Sequence, residues 1–279
     1  MKKVIVILLA AALLLSVVGC KKAENKKLTV AMSPDFAPME FVDTSKTGQE
    51  QYVGFDVTLA NFLADELGME LEIKPMSFDA CMTAVQLGSV DMAISGFSWK
   101  PGRAENFRLS DYYIAGDNET QQSVITVKAK ENTCKTQADF SGWKVGAQAS
   151  SLQEQLVKDE LIPAGAELVV YKSIDDAVLA LQTGKIDALA VAHGNGEAII
   201  ANNPDLAFTG FDFDVDPKYE NNVILLNKSN TEMLEKVNKV LAKAMAAGVY
   251  DGWYEDAKAL AGIPTAADVS YDDDGKPVS

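Results

Sequence analysis

The chain has 279 residues, of which 48% are hydrophobic, and a formal net charge of −15 at pH 7. This length allows one large or two medium-sized domains, and the apolar content is sufficient for a hydrophobic core. The acidic balance argues against nucleic acid and anionic lipid headgroups as partners, because both would be repelled.

The first residues have the pattern of a secretory signal. Two lysines precede an apolar run over residues 4–18, which is short of the roughly 20 apolar residues of a membrane span. Its end, Val17-Val18-Gly19-Cys20, resembles the bacterial lipobox. We therefore predict a signal peptide over 1–19, a lipid-bearing Cys20 and a linker over 20–27. The alternative is an ordinary signal in which Cys20 carries no lipid.

The segment after the linker predicts a β-α-β-α-β unit. Its strands are predicted at 27–32, 71–74 and 92–94. Asp56 is predicted to cap the first helix, and the second is predicted to begin at Ser77 or Asp79. This order predicts a parallel sheet with helices on its faces.

A second unit repeats this plan. Its strands are predicted at 124–127, 144–148, 168–171 and 188–191. Helices are predicted over Ser151–Leu161 and from Ser173, as cap, through Leu181. Ser229 and Glu232 then predict a capping box for a long helix that ends near Gly248.

An eight-residue phrase occurs once in each unit. Ala84–Asp91 reads Ala-Val-Gln-Leu-Gly-Ser-Val-Asp, and Ala180–Asp187 reads Ala-Leu-Gln-Thr-Gly-Lys-Ile-Asp. Two similar units suggest two lobes, and a cleft between lobes is a usual place for a small ligand.

With no third unit available, the long helix is predicted to pack back on the first lobe. The chain would then cross between the lobes twice, near 113–122 and 207–213. The predicted organisation is a first lobe of 28–113 plus 212–262, a second lobe of 118–208 and a disordered acidic tail over 263–279. Cys81 and Cys134 fall in different lobes, so both are predicted to be free thiols.

Residues that follow the third strand are suited to binding an anion. Gly96 permits close approach of backbone to a ligand, Ser98 offers a hydroxyl, and Arg103 presents a planar fork that matches a carboxylate. The alternative makes Ser98 a helix cap and Arg103 a surface charge. In the second lobe, Ser150 and Ser151 lie at a strand-to-helix turn whose free N–H groups attract anions, or else Ser151 is an ordinary cap.

A set of motifs in chain order, from about residue 28 to residue 262, resembles the polar amino acid-binding proteins of ABC importers. These motifs are Gly54-Phe55-Asp56-Val57, Lys74-Pro75-Met76-Ser77-Phe78, Val90-Asp91-Met92-Ala93-Ile94-Ser95-Gly96, Arg103, Leu109-Ser110-Asp111-Tyr112-Tyr113, Val145-Gly146-Ala147-Gln148 and Gly184-Lys185-Ile186-Asp187-Ala188. The resemblance implies a periplasmic-binding-protein-like α/β fold with two lobes. Each lobe would be a mostly parallel sheet flanked by helices, and a two-stranded hinge would let the lobes close around an amino acid.

Site residues carried over from this resemblance come from both lobes. Phe36 and Phe78 would form aromatic walls around the ligand side chain, although either could instead belong to the hydrophobic core. The Gly96 carbonyl would accept from the ligand ammonium, while Ser98 and Arg103 would hold the α-carboxylate. The Ser150–Leu152 backbone would complete that clamp from the second lobe.

Three positions depart from the family pattern. Ala192 stands where members usually have an Asp that pairs with the ligand ammonium. Either another acid substitutes, with Glu40 and Asp35 as candidates, or the ligand is not a standard free α-amino acid. Ser33 replaces an acid that some members use on cationic side chains, and Leu152 replaces a hydroxyl residue. Our hypothesis is a carboxylate ligand with an apolar or neutral body.

His193 is the only histidine, so neither zinc binding nor a Ser-His-Asp site is expected. We predict that it donates a hydrogen bond in the cleft, with an ordinary structural histidine as the alternative. No metal and no cofactor are expected.

The predicted function is a lipid-anchored, monomeric, extracytoplasmic binding protein that delivers a small carboxylate to an ABC permease and is not an enzyme. The alternative is an extracytoplasmic lyase or dehydratase on the same fold, which would need an acid and a base in the cleft. A sensor ectodomain is a third possibility.

Overall fold

The structure is a computed structural model that describes residues 26–113, 121–216, 219, 221–265, 268, 270–271 and 277–278. The predicted signal peptide, Cys20 and most of the first predicted crossing lie outside these residues. Among the residues described, no helix has both the length and the apolar character that crossing a membrane requires.

Short strands alternate with helices along the chain. The strands are β1 (Lys27–Met32), β2 (Asp35–Phe36), β3 (Glu40–Val42), β4 (Tyr52–Val53), β5 (Glu70–Pro75), β6 (Met92–Ala93), β7 (Arg108–Leu109), β8 (Gln122–Val127), β9 (Lys144–Gln148), β10 (Glu167–Tyr171), β11 (Ala188–Ala192), β12 (Leu206–Asp212), β13 (Leu225–Leu226), β14 (Ser270–Tyr271) and β15 (Pro277–Val278). The α-helices are α1 (Phe55–Leu67), α2 (Phe78–Leu87), α3 (Pro101–Asn106), α4 (Leu152–Leu156), α5 (Ile174–Gln182), α6 (His193–Asn202), α7 (Thr231–Ala247) and α8 (Tyr250–Ala261).

Two five-stranded sheets organise the molecule. The first has the order β5-β1-β6-β13-β7, with β1 parallel to both neighbours and β13 antiparallel to both of its own. The second has the order β10-β9-β11-β8-β12, with β9 parallel to both neighbours and β8 antiparallel to both of its own. We call each sheet with its helices a lobe. The predicted two-lobed α/β fold is confirmed; the exact lobe boundaries stay predictions.

Alternation along β1 builds the core of the first lobe on both faces of its sheet. Leu28, Val30 and Met32 point to one face, where they pack with α1, α7 and α8. Ala31 points to the other face, where it packs with Cys81 and its neighbours on α2. The long helix α7 therefore returns to the first lobe, as predicted.

The starts of two helices differ from the prediction. Gly54 is the N-cap residue of α1, and Asp56 is buried in the first turn because its carboxylate bonds to other parts of the lobe. The cap of α7 is Asn230, whose Oδ1 accepts from the Met233 N–H, whereas the Ser229 hydroxyl donates to Asn227. The predicted Ser173 cap of α5 is confirmed.

Both described cysteines are buried free thiols, as predicted. Cys81 lies in a core of the first lobe and Cys134 in a core of the second. Helices α6 and α8 were not predicted from the sequence. In the tail, β14 and β15 form a short antiparallel pair.

Candidate ligand-binding site

A cavity lies between the lobes, beside the residues that follow β1, β6 and β9. This is the usual ligand position in open α/β sheets, outside the carboxyl ends of the strands. Most of the residues predicted from the sequence line it: Phe36, Phe78, Gly96, Ser98, Arg103, Ser151 and Leu152. Ser150 and His193 are not among its lining residues.

Arg103 is the cation of this cavity. Its side chain extends from α3, is only 4% exposed and lies over the rings of Phe78 and Phe97, at 5.4 and 5.2 Å from their centroids. No carboxylate among the described residues forms an ion pair with it, and burial lowers the pKa of Arg103 to about 9. It therefore stays protonated at neutral pH, as a buried charge that an anion would stabilise.

The guanidinium of Arg103 also joins the two lobes. One terminal nitrogen donates to the Ser98 carbonyl oxygen of its own lobe, and the other donates to the Ser150 carbonyl oxygen across the cleft at 3.1 Å. Lys100 makes a similar crossing contact, from Nζ to the Ser151 carbonyl oxygen at 3.2 Å. Two cationic side chains of the first lobe thus donate hydrogen bonds to the backbone just before α4.

The predicted backbone clamp of the second lobe is largely engaged by its own lobe. The Ser150 N–H donates to the Glu154 carboxylate, and the Ser151 N–H donates to the Gln148 carbonyl oxygen. The Ser151 hydroxyl accepts from the Glu154 N–H, so it is the ordinary helix cap that the sequence left open as an alternative. Leu152, the first residue of α4, also lines the cavity.

Phe36 and Gly96 fit together so closely that position 96 requires glycine. A Cβ at Gly96 would lie 2.6 Å from the Phe36 ring, and the backbone there has a φ of +55°. Phe36 also contacts the hydrophobic cores of both lobes. Phe78 stacks on Phe97 at 4.5 Å, so it serves as the platform under Arg103 as well as a cavity wall.

His193 has a different environment from the one predicted. It begins α6, stacks on Phe208 with ring centroids 4.5 Å apart, and its Nδ1 lies 2.8 Å from the Ser123 hydroxyl. Ser123 lies on β8 and Phe208 on β12, which are paired strands of the second sheet. Both contacts of His193 are therefore made within the second lobe. The alternative of a structural histidine matches this environment.

Asp35 is a carboxylate of the first lobe that is held by donors of the second. Its Oδ2 accepts from the Ile174 N–H at 2.8 Å, and the Gln148 side-chain amide lies within 3.4 Å of both oxygens. Burial raises the pKa of Asp35, and these hydrogen bonds oppose that rise. Asp35 also lines the cavity, as do Glu40 and Ala192.

Sequence reasoning missed several polar residues of the cavity, namely Gln122, Gln148, Gln153, Asn195 and Asn222. Gln148 ends β9 and is the last residue of the Val145-Gly146-Ala147-Gln148 motif, so its position was a usable signal. The others belong to no motif and reach the cavity only through folding. Among the described residues, no cluster of three or more His, Cys, Asp or Glu side chains could hold a metal ion.

The family model for bacterial extracellular solute-binding proteins, family 3, matches residues 28–256 of the chain. The chain belongs to this family of solute-binding proteins. The match covers both lobes, and it confirms the resemblance identified from the sequence motifs.

Relatives of this solute-binding protein carry names of amino acid binders. The arginine-binding extracellular protein ArtP of Bacillus subtilis is 28% identical over 247 residues, which cover 86% of this chain and 92% of ArtP. A probable histidine-binding protein of Campylobacter jejuni is 28% identical over 271 residues, covering 90% of this chain and 96% of that protein.

A solved structure supports the same fold. The amino acid ABC transporter substrate-binding protein AbpA of Streptococcus pneumoniae, bound to L-arginine, superposes with a TM-score of 0.77 at 35% identity. The alignment covers 86% of this chain and 97% of AbpA. The solute-binding protein thus has the architecture of a transport binding protein throughout its two lobes.

Proposed function

We propose that this solute-binding protein captures an amino acid or a related small carboxylate between its lobes and delivers it unchanged to an ABC permease. In this proposal it acts outside the cytoplasm as a monomer, held at the membrane by a lipid on Cys20. Lobe one would comprise residues 28–113 and 212–262, and lobe two residues 118–208.

The observation that carries the proposal is the buried charge of Arg103 in the cavity between the lobes, which no carboxylate of the described residues neutralises. An isolated buried cation is costly unless an anion completes it. A ligand carboxylate offers two oxygens that suit the planar guanidinium. Ser98 and Leu152 line the same cavity. The Ser98 hydroxyl and the Leu152 N–H would donate hydrogen bonds to the carboxylate oxygens of the ligand.

The aromatic walls and Gly96 would hold the rest of the ligand. Phe36 and Phe78 line the cavity on the first-lobe side, and the Gly96 carbonyl would accept from a ligand ammonium. Ala192 lines the opposite wall and offers no charge there. Asp35 is our candidate for the missing counter-charge.

The names of the relatives suggest which side chain the ligand carries. ArtP is named as an arginine-binding protein, AbpA was solved with L-arginine, and the Campylobacter jejuni relative is named as a probable histidine-binding protein. Arginine and histidine are therefore the first amino acids to test. Ser33 in place of an acid supports the earlier hypothesis of a neutral body. A panel that includes both kinds of ligand decides between them.

Capture would work by closure. Arg103 and Lys100 donate hydrogen bonds to the second lobe, and Asp35 accepts one from it. These bonds exist only when the lobes are together, so a ligand that adds contacts to both lobes shifts the population toward the closed form. The permease would then recognise the closed surface.

The test is isothermal titration calorimetry of the protein with each of the 20 standard amino acids, before and after R103A. We expect at least one amino acid to bind, and R103A to weaken its binding by about 100-fold or more, since a lost charge-assisted contact leaves a buried anion unpaired. R108A removes the chain's other arginine, which is exposed, and serves as the control. Unweakened binding in R103A would contradict the proposed site.

A second measurement separates binding from catalysis. NMR spectra of the bound amino acid, followed over hours with excess ligand, should show no product if the protein only binds and delivers. Metabolic labelling with a fatty acid in the native host, compared between the wild type and C20S, tests the lipid anchor.

A further inference from the structure

Two buried carboxyl groups lie directly behind the first-lobe part of the cavity. Glu40 on β3 is fully buried, and its Oε1 accepts from the Ser95 hydroxyl. The same hydroxyl oxygen accepts from the Ser33 N–H at 3.0 Å. The Ser95 side chain is thereby fixed between Ser33, which follows β1, and Glu40.

Asp56 holds the next residue of the same loop. It lies in the first turn of α1, is fully buried, and its Oδ2 accepts from the Gly96 N–H at 2.7 Å and from the Tyr113 hydroxyl at 3.1 Å. Two consecutive residues of the cavity wall, Ser95 and Gly96, are therefore fixed by two different carboxyl groups.

The other oxygen of each group lacks a donor. Within the described part of the chain, no N–H or O–H of another residue reaches Glu40 Oε2 or Asp56 Oδ1, although both atoms are buried. Glu40 and Asp56 are neighbours in the fold, because their carboxyl groups bind the consecutive residues Ser95 and Gly96 and the Asp56 N–H donates to the carbonyl oxygen of Met39, the residue before Glu40, at 2.8 Å. One proton between them would give both orphan oxygens a partner.

Among the described residues around the pair, no positive charge offsets two carboxylates. The described titratable groups that interact electrostatically with the pair are Asp35 on β2, Cys81 on α2 and Tyr113. Tyr113 also interacts with Tyr250 on α8. All of these are neutral or negative. Arg103 lines the same cavity but directs its guanidinium to the carbonyl oxygens of Ser98 and Ser150.

Burial is the main reason that the pKa of Glu40 rises well above its ordinary value, and the nearby charge of Asp56 adds to the rise. Burial likewise raises the pKa of Asp56 to about 7. Two adjacent carboxyl groups in such a site titrate as one unit and keep a proton to higher pH than either would alone.

We propose that Glu40 and Asp56 share one proton and act as a positioning pair for Ser95 and Gly96, so that Glu40 faces the cavity as a neutral acid and not as the ligand's counter-charge. This inference rests on the proposed function, because Gly96 is placed there at the ligand ammonium. It leaves Asp35, which also lines the cavity, as the candidate counter-charge for a ligand ammonium.

The substitution E40Q separates the two possible roles of Glu40. A glutamine amide donates to Asp56 and accepts from Ser95, as a protonated glutamate does. We therefore expect E40Q to bind the tightest amino acid of the panel, beginning with L-arginine, within about threefold of the wild type, which is under 1 kcal/mol. A glutamate that served as an ionised counter-charge would cost about 100-fold or more when neutralised. That loss, in folded E40Q, would overturn the inference while the proposed function stood.

The pH dependence of stability gives a readout that needs no ligand. A carboxyl group whose pKa is raised by folding stabilises the folded state at low pH and loses that contribution as pH rises through its folded pKa. The melting temperature of the wild type should therefore fall relative to that of E40Q as the pH rises from about 5 through neutral pH. E105Q, which neutralises an exposed glutamate on α3, should track the wild type. A constant difference between E40Q and the wild type across this range would contradict the shared proton.

Infrared spectroscopy of the wild-type protein covers the case in which E40Q does not fold. A protonated carboxyl group has a carbonyl stretching band that a carboxylate lacks. At neutral pH we expect such a band, shifted by isotopic labelling of glutamate or of aspartate. Absence of any labelled band would overturn the inference. If the band is present but no amino acid binds, the carboxyl pair stands and the proposed function fails.

Discussion

Asp35 and Ile174 are 139 positions apart in the chain and meet across the cleft, where Asp35 Oδ2 accepts the Ile174 N–H at 2.8 Å. Ile174 is the first residue of α5, so the carboxylate of one lobe binds the free N–H end of a helix in the other. Gln148 adds two longer contacts from the same lobe as Ile174. Because these bonds require the lobes to be together, Asp35 stabilises the closed form.

We expect D35A to weaken closure. Removing a charge-assisted hydrogen bond costs about 1.5–3 kcal/mol, which corresponds to about a 10- to 100-fold higher Kd for the amino acid that binds. Small-angle X-ray scattering at saturating ligand should show a larger radius of gyration than that of the wild type. D65A removes an exposed acid on α1 and is the matched control. Unchanged affinity and unchanged compaction in D35A would contradict the interlobe role.

Gly96 and Gly88 form a natural pair for testing the close approach of Phe36. Both have positive φ, +55° and +68°, but a Cβ at Gly88 would meet nothing within 4 Å. We expect G88A to lose about 1–2 kcal/mol of unfolding free energy from backbone strain alone. G96A should lose about 1–3 kcal/mol more, because the new methyl group displaces the Phe36 ring.

Denaturant unfolding and calorimetry together check this prediction. G96A should also bind its ligand more weakly, since Phe36 is a wall of the cavity, whereas G88A should bind as the wild type does. Equal stabilities and equal affinities for the two variants would show that the contact with Phe36 is unimportant.

His193 tests the difference between a ligand donor and a structural residue. Its contacts with Phe208 and Ser123 predict that H193A loses about 1 kcal/mol of stability and leaves the Kd within about threefold of the wild type. F208A, which removes the stacking partner, should destabilise by a larger amount and equally spare the ligand. A large loss of affinity in H193A, with the fold intact, would return the histidine to the binding site.

The sequence by itself determined the two strand-and-helix units, the two-lobed plan and the loop that carries Gly96 and Arg103, although it missed helices α6 and α8. These features depend on local patterns: alternation in strands such as Lys27–Met32, apolar spacing in helices, and a glycine beside a cation after a buried strand. The starts of two helices were mistaken because Asp56 and Ser229 have the chemistry of caps, and only their tertiary neighbours show that they bond elsewhere.

Only the tertiary structure decided which polar groups meet. It placed Asp35 on the Ile174 N–H, Arg103 on the Ser150 carbonyl oxygen, Glu40 beside Asp56, and His193 on Phe208. The physical reason is that a polar side chain takes its charge state and its role from the donors, acceptors and burial around it. Those neighbours come from strands and helices far apart in the chain, and no local pattern specifies them.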